Sequence, residues 1–408
     1  MADQTWGGIR HTFDALTESQ FRLLWFGMLF AQASMQMNLV SRSWLAYTIS
    51  GSAVALGVVS LAQGLPWTLL SLLGGATADR ADKRTLLVAV QFSLSALSIV
   101  NALLVHLNIV RVWHLVVLGL FQGVIFAFNM PTRQALIPEL VSIERLANAL
   151  ALNSTGMNLN RVLAPALAGL LIASHPAVTF DVMAVFYFAS ALMLLRLPKT
   201  GPAKFPHPHS ALADIWDGLR YIVQNKRLLA LIIMAFVPTL FGMPYQQLLP
   251  VFQQDVLHVG PKALGMMYTM VGVGSLIGSL SVAAMAQSGK KDTIQGIAGV
   301  LFGVVIVLLA LSSVYALSLV VLLAVGLASQ GYMTLNNVLL MEATDPAYYG
   351  RVMSIYILTF SISPVAMLPI GFMVDHIGVS PTEATVGAIL AVLMMGFSIF
   401  GRRMIERS

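Results

Sequence analysis

Twelve apolar runs divide this sequence, at residues 21–47, 53–77, 85–106, 112–137, 147–173, 177–197, 228–252, 262–287, 293–312, 315–343, 350–375 and 382–402. A helix needs about 20 apolar residues to cross the hydrocarbon core of a bilayer, and each run meets that length, with some tilt. Peptide groups inside hydrocarbon find no water, so each crossing must satisfy its own hydrogen bonds, which a helix does. A closed barrel is the other solution, but it would show short alternating segments. Charge is correspondingly scarce: 10% of the 408 residues are charged and 58% are hydrophobic, where a soluble domain carries about 25% charged residues. The expected fold is an all-α integral membrane protein with twelve transmembrane helices.

Position of charge then sets orientation. Arg10, Arg22, Arg80, Lys83, Arg84, Arg133, Arg145, Arg196, Lys199, Lys204, Arg220, Lys226, Arg227, Lys290, Lys291, Arg351, Arg402, Arg403 and Arg407 fall on one side of the twelve spans. Apart from Arg42 and Arg161, which stand within spans, only Arg111 and Lys262 fall on the other. The positive-inside rule places both termini in the cytoplasm and the protein in the cell inner membrane, as a multi-pass protein. Residues 1–17 carry no cleavable apolar region, so the first span is expected to remain as an anchor.

Residues 198–210 hold Pro198, Pro202, Pro206 and Pro208 and read as an extended linker. Leu212, Ile215, Trp216, Leu219, Ile222 and Val223 then recur at helical spacing, opposite Asp214, Asp217 and Arg220. That pattern predicts an amphipathic helix lying either on the membrane surface or against the loops of the bundle. The chain thus divides into a tail (1–20), a six-helix half (21–197), a linker with its helix (198–227), a second six-helix half (228–402) and a short tail (403–408). Two six-span halves are the pattern of parallel repeats.

The absence of cysteine excludes disulfides and thiolate chemistry. The net charge of +6 does not point to nucleic acid, since no basic cluster is interleaved with stacking aromatics. No phosphate-binding Gly-x-x-x-x-Gly-Lys-Ser/Thr loop is present, and the histidines, chiefly in loops and tails, supply no intramembrane catalytic set. Neither an enzyme, a metal site nor a cofactor is expected.

At the end of the second span stands Gly74-Gly75-Ala76-Thr77-Ala78-Asp79-Arg80-Ala81-Asp82-Lys83-Arg84. This resembles the signature of the major facilitator superfamily between helices two and three, with Asp82 where a second glycine is usual. Gly75 lets helix ends approach, Asp79 can face the positive N-terminus of a neighbouring helix, and Arg80 and Arg84 can pair with acids or lipid phosphates. The resemblance implies a cytoplasmic latch, with Asp79 facing the start of span eleven near Arg351. Glu139, Glu144, Glu342 and Asp345 lie at cytoplasmic helix ends and are expected to pair with Arg133, Arg145 and Arg351 as a gate. Arg42-Ser43-Trp44-Leu45-Ala46-Tyr47, Pro131-Thr132-Arg133-Gln134-Ala135-Leu136-Ile137-Pro138, Leu248-Leu249-Pro250-Val251-Phe252 and Gly350-Arg351-Val352-Met353-Ser354 are similar to the branch containing enterobactin exporters and macrolide efflux proteins. The tail of Asn160-Arg161-Val162-Leu163-Ala164-Pro165-Ala166-Leu167-Ala168-Gly169 resembles the antiporter signature, with Ala164 and Ala168 in place of two glycines; in the family that signature favours export.

Arg161 lies about 20 Å along span five, near the bilayer midplane. A guanidinium there costs roughly 2.5–3.5 kcal/mol on insertion scales, so it must face the bundle interior. It is either a substrate or switching residue, or a structural arginine bonded to helix carbonyls or to Asn158 and Asn160. Gln32, Gln36, Asn38, Gln122, Asn129, Asn153, Tyr245, Gln246, Gln247, Asn336 and Asn337 are further interior polar positions, and Pro165 a kink. Span seven carries Pro238, Gly242, Pro244 and Pro250, and broken helices line transporter cavities. Asp181 and Asp375, near the outer ends of spans six and eleven, are the acids closest to mid-span, and Asp181 is the candidate titrating group. The arginine that drug–proton antiporters carry in span four falls at Gly119. The expected activity is export of an amphipathic small molecule by a monomer in contact with membrane lipid; protons as coupling ion are what the resemblance implies, although the acids and the span-four arginine customary for that coupling are not at their usual places. An importer or lipid flippase fits the same scaffold, and a membrane sensor is a further alternative.

Overall fold

The computed structural model describes residues 14–200, 211–285, 289–360 and 362–405. Among these residues there is helix and no strand. Twelve spans are long and apolar enough to cross a membrane: Ser19–Ser50, Ala53–Ser71, Lys83–His106, Val112–Glu139, Ile143–Ser174, Pro176–Leu195, Lys226–Asp255, Pro261–Ala284, Lys291–Leu311, Tyr315–Ala343, Pro346–Ile377 and Val379–Ile399. They are numbered one to twelve below. The helix of span two continues to Arg80.

Local chemistry sets where these helices stop. Asp82 caps span three, its Oδ1 accepting from Thr85 N at 2.7 Å. His175 breaks the chain between spans five and six, with Nδ1 accepting from Ala177 N at 3.3 Å and Pro176 in the first turn, where a missing N–H costs nothing. Asn225 caps span seven by accepting from Arg227 N and Leu228 N at 3.0 and 3.2 Å. Gly378, at φ 88°, turns the chain between spans eleven and twelve. Span seven is broken as its prolines predict, into Lys226–Val237, a π turn at Pro238–Gly242, and Tyr245–Asp255.

By packing, the chain forms two compact units, Met1–Ser41 with Leu65–His207, and Arg42–Gly64 with Pro208–Ser408. In the first, span three packs along spans six and four. Span two meets span four at Gly74, where any side chain would overlap the Ala127 carbonyl. In the second unit, span eight packs on span ten, and span nine on spans twelve and ten. Pairings two–four and three–six therefore recur as eight–ten and nine–twelve, displaced by six spans. Residues 42–64 join the second unit through backbone-close contacts. A Cβ on Gly371 would stand 2.6 Å from the Ala53 carbonyl oxygen, and one on Gly57 3.1 Å from that of Met367. Lipid supplies no hydrophobic drive between helices, so glycine-permitted backbone approach and its dispersion gain hold these seams.

The linker helix spans Ala211–Gln224. Gly218 lies against Arg351 and Ile355, and Ile222 is buried with Leu228, Val352 and Tyr356. Trp216 and Val223 remain 69% and 58% exposed. One face thus packs on spans seven and eleven, while another leaves apolar side chains uncovered.

A β-carbon at Gly303 would come within 2.5 Å of Ala391 N and 2.6 Å of the Gly387 carbonyl oxygen. Gly303→Val should cost about 1–3 kcal/mol by forcing spans nine and twelve apart, lowering the thermal transition of the detergent-solubilised protein. Gly396→Ala, whose Cβ meets open space, should leave that transition nearly unchanged.

Candidate functional site

The loop between spans two and three is a set of helix-end devices. Gly74, rather than Gly75, is the position of close approach: a Cβ at Gly75 meets nothing within 4 Å. Consecutive residues on a helix point about 100° apart, so only one of the pair can face span four. Asp82, which departs from the glycine of the signature, earns its place as the cap of span three. Partial burial opposes its ionisation, but the hydrogen bonds from Thr85 and from the Thr200 backbone, with the Arg84 guanidinium nearby, outweigh this and hold the carboxyl below its usual range. Arg84 Nε donates to the Leu194 carbonyl at 3.3 Å and its Nη2 to that of Leu195, closing the C-terminus of span six. Arg80 is exposed. The expected approach of the Asp79 side chain to Arg351 lies outside the described residues.

The charged residues at these helix ends pair differently from the expected gate. Glu139 pairs with buried Lys83, Oε1 to Nζ 2.8 Å, instead of with Arg133. That contact is an ion pair without hydrogen-bond alignment. Arg133 is half-buried, and its Nε finds no hydrogen-bond partner among the described residues. Arg145 holds Glu18 at 2.6 Å and Asp14 at 3.8 Å, tying the segment before span one to span five. Glu342 pairs with Lys291, joining spans ten and nine. Arg351 lies 3.9 Å from Asp217 of the linker helix and 5.4 Å above the Tyr348 ring. Asp345 caps the turn ahead of span eleven through Ala347 N, and Glu144 lies in the first turn of span five. The amphipathic linker helix supplies a partner for Arg351, and sequence separation conceals that pairing.

Inside the first unit, span five lies against span one. Asn160 Nδ2 donates to the Leu29 carbonyl at 3.0 Å, Trp25 Nε1 donates to that of Leu152 at 3.0 Å, and Gly156 admits Leu29. Asn160 is therefore interhelical glue. Arg161, the next residue, is half-buried, as is Asn158. Pro165, Ala164 and Ala168 are buried, as small-residue packing requires. Gln32 and Gln122 are buried, while Gln36 and Asn129 are half-buried.

In the second unit, Asn336 accepts from Gln295 Nε2 at 2.6 Å, with both residues 1% exposed. That geometry also makes it glue, between spans nine and ten. Its neighbour Asn337 is half-buried. Gln246 Nε2 donates to the hydroxyl of buried Tyr245 at 3.3 Å, and the Gln246 backbone carbonyl accepts from Tyr268 Oη at 2.5 Å. Gln247 receives the Ser60 hydroxyl.

On the side away from the basic loops, a second set of polar contacts falls within the same unit. Asp375 receives Ser52 Oγ at 2.5 Å, Ala53 N at 2.6 Å and Val54 N at 3.3 Å, capping the start of span two. Tyr47 Oη donates to Asp255 at 2.5 Å, and Gln254 Nε2 donates to Thr48 Oγ1 at 3.0 Å. In the first unit, His106 Nε2 sits 2.9 Å from Asp181 and its ring stacks on His175. Asp181, at 47% side-chain exposure, is an open surface acid. The sequence reading overlooked Glu383, which is 5% exposed within span twelve. Its position inside the run 382–402 was the available signal.

Twelve helices, a repeated pairing displaced by six spans, and scarce interior charge define a multi-pass membrane transporter of major facilitator type. The chain belongs to the transmembrane secretion effector family, whose profile matches residues 10–403. It is 26% identical to the staphyloferrin A transporter of Staphylococcus aureus over 90% of this chain and 92% of that one. It is 24% identical to macrolide efflux protein A of Streptococcus pyogenes, over 88% and 91%. The fold matches a nucleoside transporter with a TM-score of 0.78 at 13% identity, covering 94% of this chain and 99% of that one.

Asp82→Ala should destabilise the protein by about 1 kcal/mol, the usual worth of an N-cap. Because the folded carboxyl is depressed, its contribution is complete above the unfolded value and decays as pH falls through the folded one. Asp82→Asn keeps a cap without a charge. Thermal transitions measured across acidic pH should therefore show a shallower acid limb for Asp82→Asn than for wild type.

Proposed function

We propose that this transporter exports an amphipathic small molecule, a drug-like compound or a siderophore, by alternating access of its six-span halves, residues 21–197 and 228–402, with protons as coupling ion. The observation that carries the reading is near-full-length similarity to relatives named for macrolide efflux and staphyloferrin A transport. An interior whose polar groups are mostly amides and hydroxyls suits large, weakly charged substrates. The 22 methionines and 20 phenylalanines supply an adaptable apolar lining. Positive-inside charge supports a cell inner-membrane location with both termini cytoplasmic, and a monomer surrounded by lipid holds both halves.

In this reading the loop 74–84 latches the cytoplasmic side, while Lys83–Glu139 braces the first half and Lys291–Glu342 and Arg351–Asp217 brace the second. The caps at Asp375 and Asp255 close the outer one. Their separation by span length lets one set loosen while the other holds, which alternating access requires. Arg161 contacts substrate or changes partner between states.

Flux into proteoliposomes tests this, using a macrolide and a ferric siderophore with and without an imposed proton gradient. Gradient-dependent movement of at least one is expected; no movement of any amphipathic probe would refute the export reading. Arg161→Ala should abolish flux while folded protein remains in the membrane, whereas wild-type flux would make Arg161 scaffolding. Asp375→Ala should raise the reactivity of a single cysteine placed at the buried Ala62 toward a membrane-impermeant maleimide, and unchanged labelling would remove the outer-latch role.

A further inference from the structure

Among the described residues, Glu383 is the only buried acid. Span twelve packs on spans nine, seven and eleven, and the surroundings of Glu383 along it are apolar or small. Thr382, Val386 and Leu390 are 0%, 5% and 0% exposed. Gly387 lies against Gly303 and Ile306, and Met394 against Gly299. Carried one turn outward, that antiparallel register sets Glu383 level with Ile306 and Ala310, both buried. No hydrogen bond or ion pair reaches its carboxyl among the described residues.

The charged and titratable groups on each packed element are engaged elsewhere or remote. On span eleven, Asp375 is committed to Ser52, Ala53 and Val54, His376 Nδ1 lies 2.8 Å from the Phe372 carbonyl, and Arg351, at the far end, lies beside Asp217. On span seven, Asp255 accepts from Tyr47, Tyr245 from Gln246, and Arg227, at the far end with Lys226, pairs with Asp292. Lys291 and Asp292, the charged residues of span nine, stand at that same far end. Glu383 is the fifth residue of its helix, past the first turn where the helix dipole steadies an anion.

A lone carboxylate in such a place costs several kcal/mol, whereas a bound proton removes the charge and leaves a group far cheaper to bury. Leucine or glutamine would fill the volume without that cost, so the acid itself is what the site keeps. We propose that Glu383 is a proton-binding site of this transporter. One carboxylate oxygen takes a proton from water on one side to form O–H. It releases that proton to water on the other when the packing of span twelve on spans seven and nine opens. The coupling role rests on the export reading above; the proton site itself does not.

Infrared spectroscopy of the purified protein in lipid tests the site directly. Wild type minus Glu383→Gln should show the carbonyl stretch of a protonated carboxyl at neutral pH, shifted by deuterium exchange and lost on alkaline titration. Glu383→Asp should restore a band of this kind. Its absence at every pH would overturn the proposal, and thermal transitions establish that both variants are folded. In proteoliposomes, Glu383→Gln should lose gradient-driven accumulation of a macrolide probe and flatten the pH dependence of its exchange. Retained accumulation would overturn the coupling role even with the band present. Failure of wild type to move the probe would count against the export reading alone, since the band is read without substrate.

Discussion

A peptide group in hydrocarbon has no water to turn to, and the rest of this structure follows from that. Every crossing must be a helix, and every interruption has to fall where protein can satisfy the freed groups. The break in span seven obeys this rule: Pro238 opens a π turn packed within its unit, Pro244 stands ahead of the helix that follows, and Gly242 fits against Phe302. Several short connections do likewise, closed by a side chain that replaces a missing backbone partner. Asp82, His175 and Asn225 cap starts, and Arg84 covers two orphan carbonyls at an end.

The same solvent removes the ordinary reason for helices to associate. Lipid is as apolar as leucine, so contact has to be won by shape and by a few hydrogen bonds. Glycine supplies the shape at the seams between spans two and four, eight and ten, and nine and twelve. Amides supply the bonds, Asn160 to Leu29 and Gln295 to Asn336. Against that background a buried acid at a seam that makes no hydrogen bond among the described residues stands apart, and Glu383 is such a residue.

Span number, the linker helix and the broken seventh span were legible in the sequence, because apolar length, charge placement and proline each act locally. What was not legible depends on rotation and on distant partners. Whether Gly74 or Gly75 meets the neighbouring helix turns on about 100° of helix rotation. That Glu139 chooses Lys83, and Arg351 chooses Asp217, depends on tertiary packing that spacing does not encode. Asn160 and Asn336 read from spacing only as polar positions within spans; which helix each one bonds, span one through Leu29 or span nine through Gln295, depends on packing. Asp181 drew attention as an acid near a span, yet it lies open beside His106, while Glu383, one residue inside its run, is 5% exposed.

The central claim is that the basic loops and the remote caps lie on opposite sides of a bilayer, with the basic loops in the cytoplasm. The absence of native cysteine makes this directly measurable. Single cysteines placed at Asn108, His258, Ala81 and Gly289 can be probed in intact cells with a membrane-impermeant maleimide. The account predicts labelling at Asn108 and His258 from outside, and at Ala81 and Gly289 only after the membrane is permeabilised. Labelling of all four in intact cells, or the reverse pattern, would contradict it.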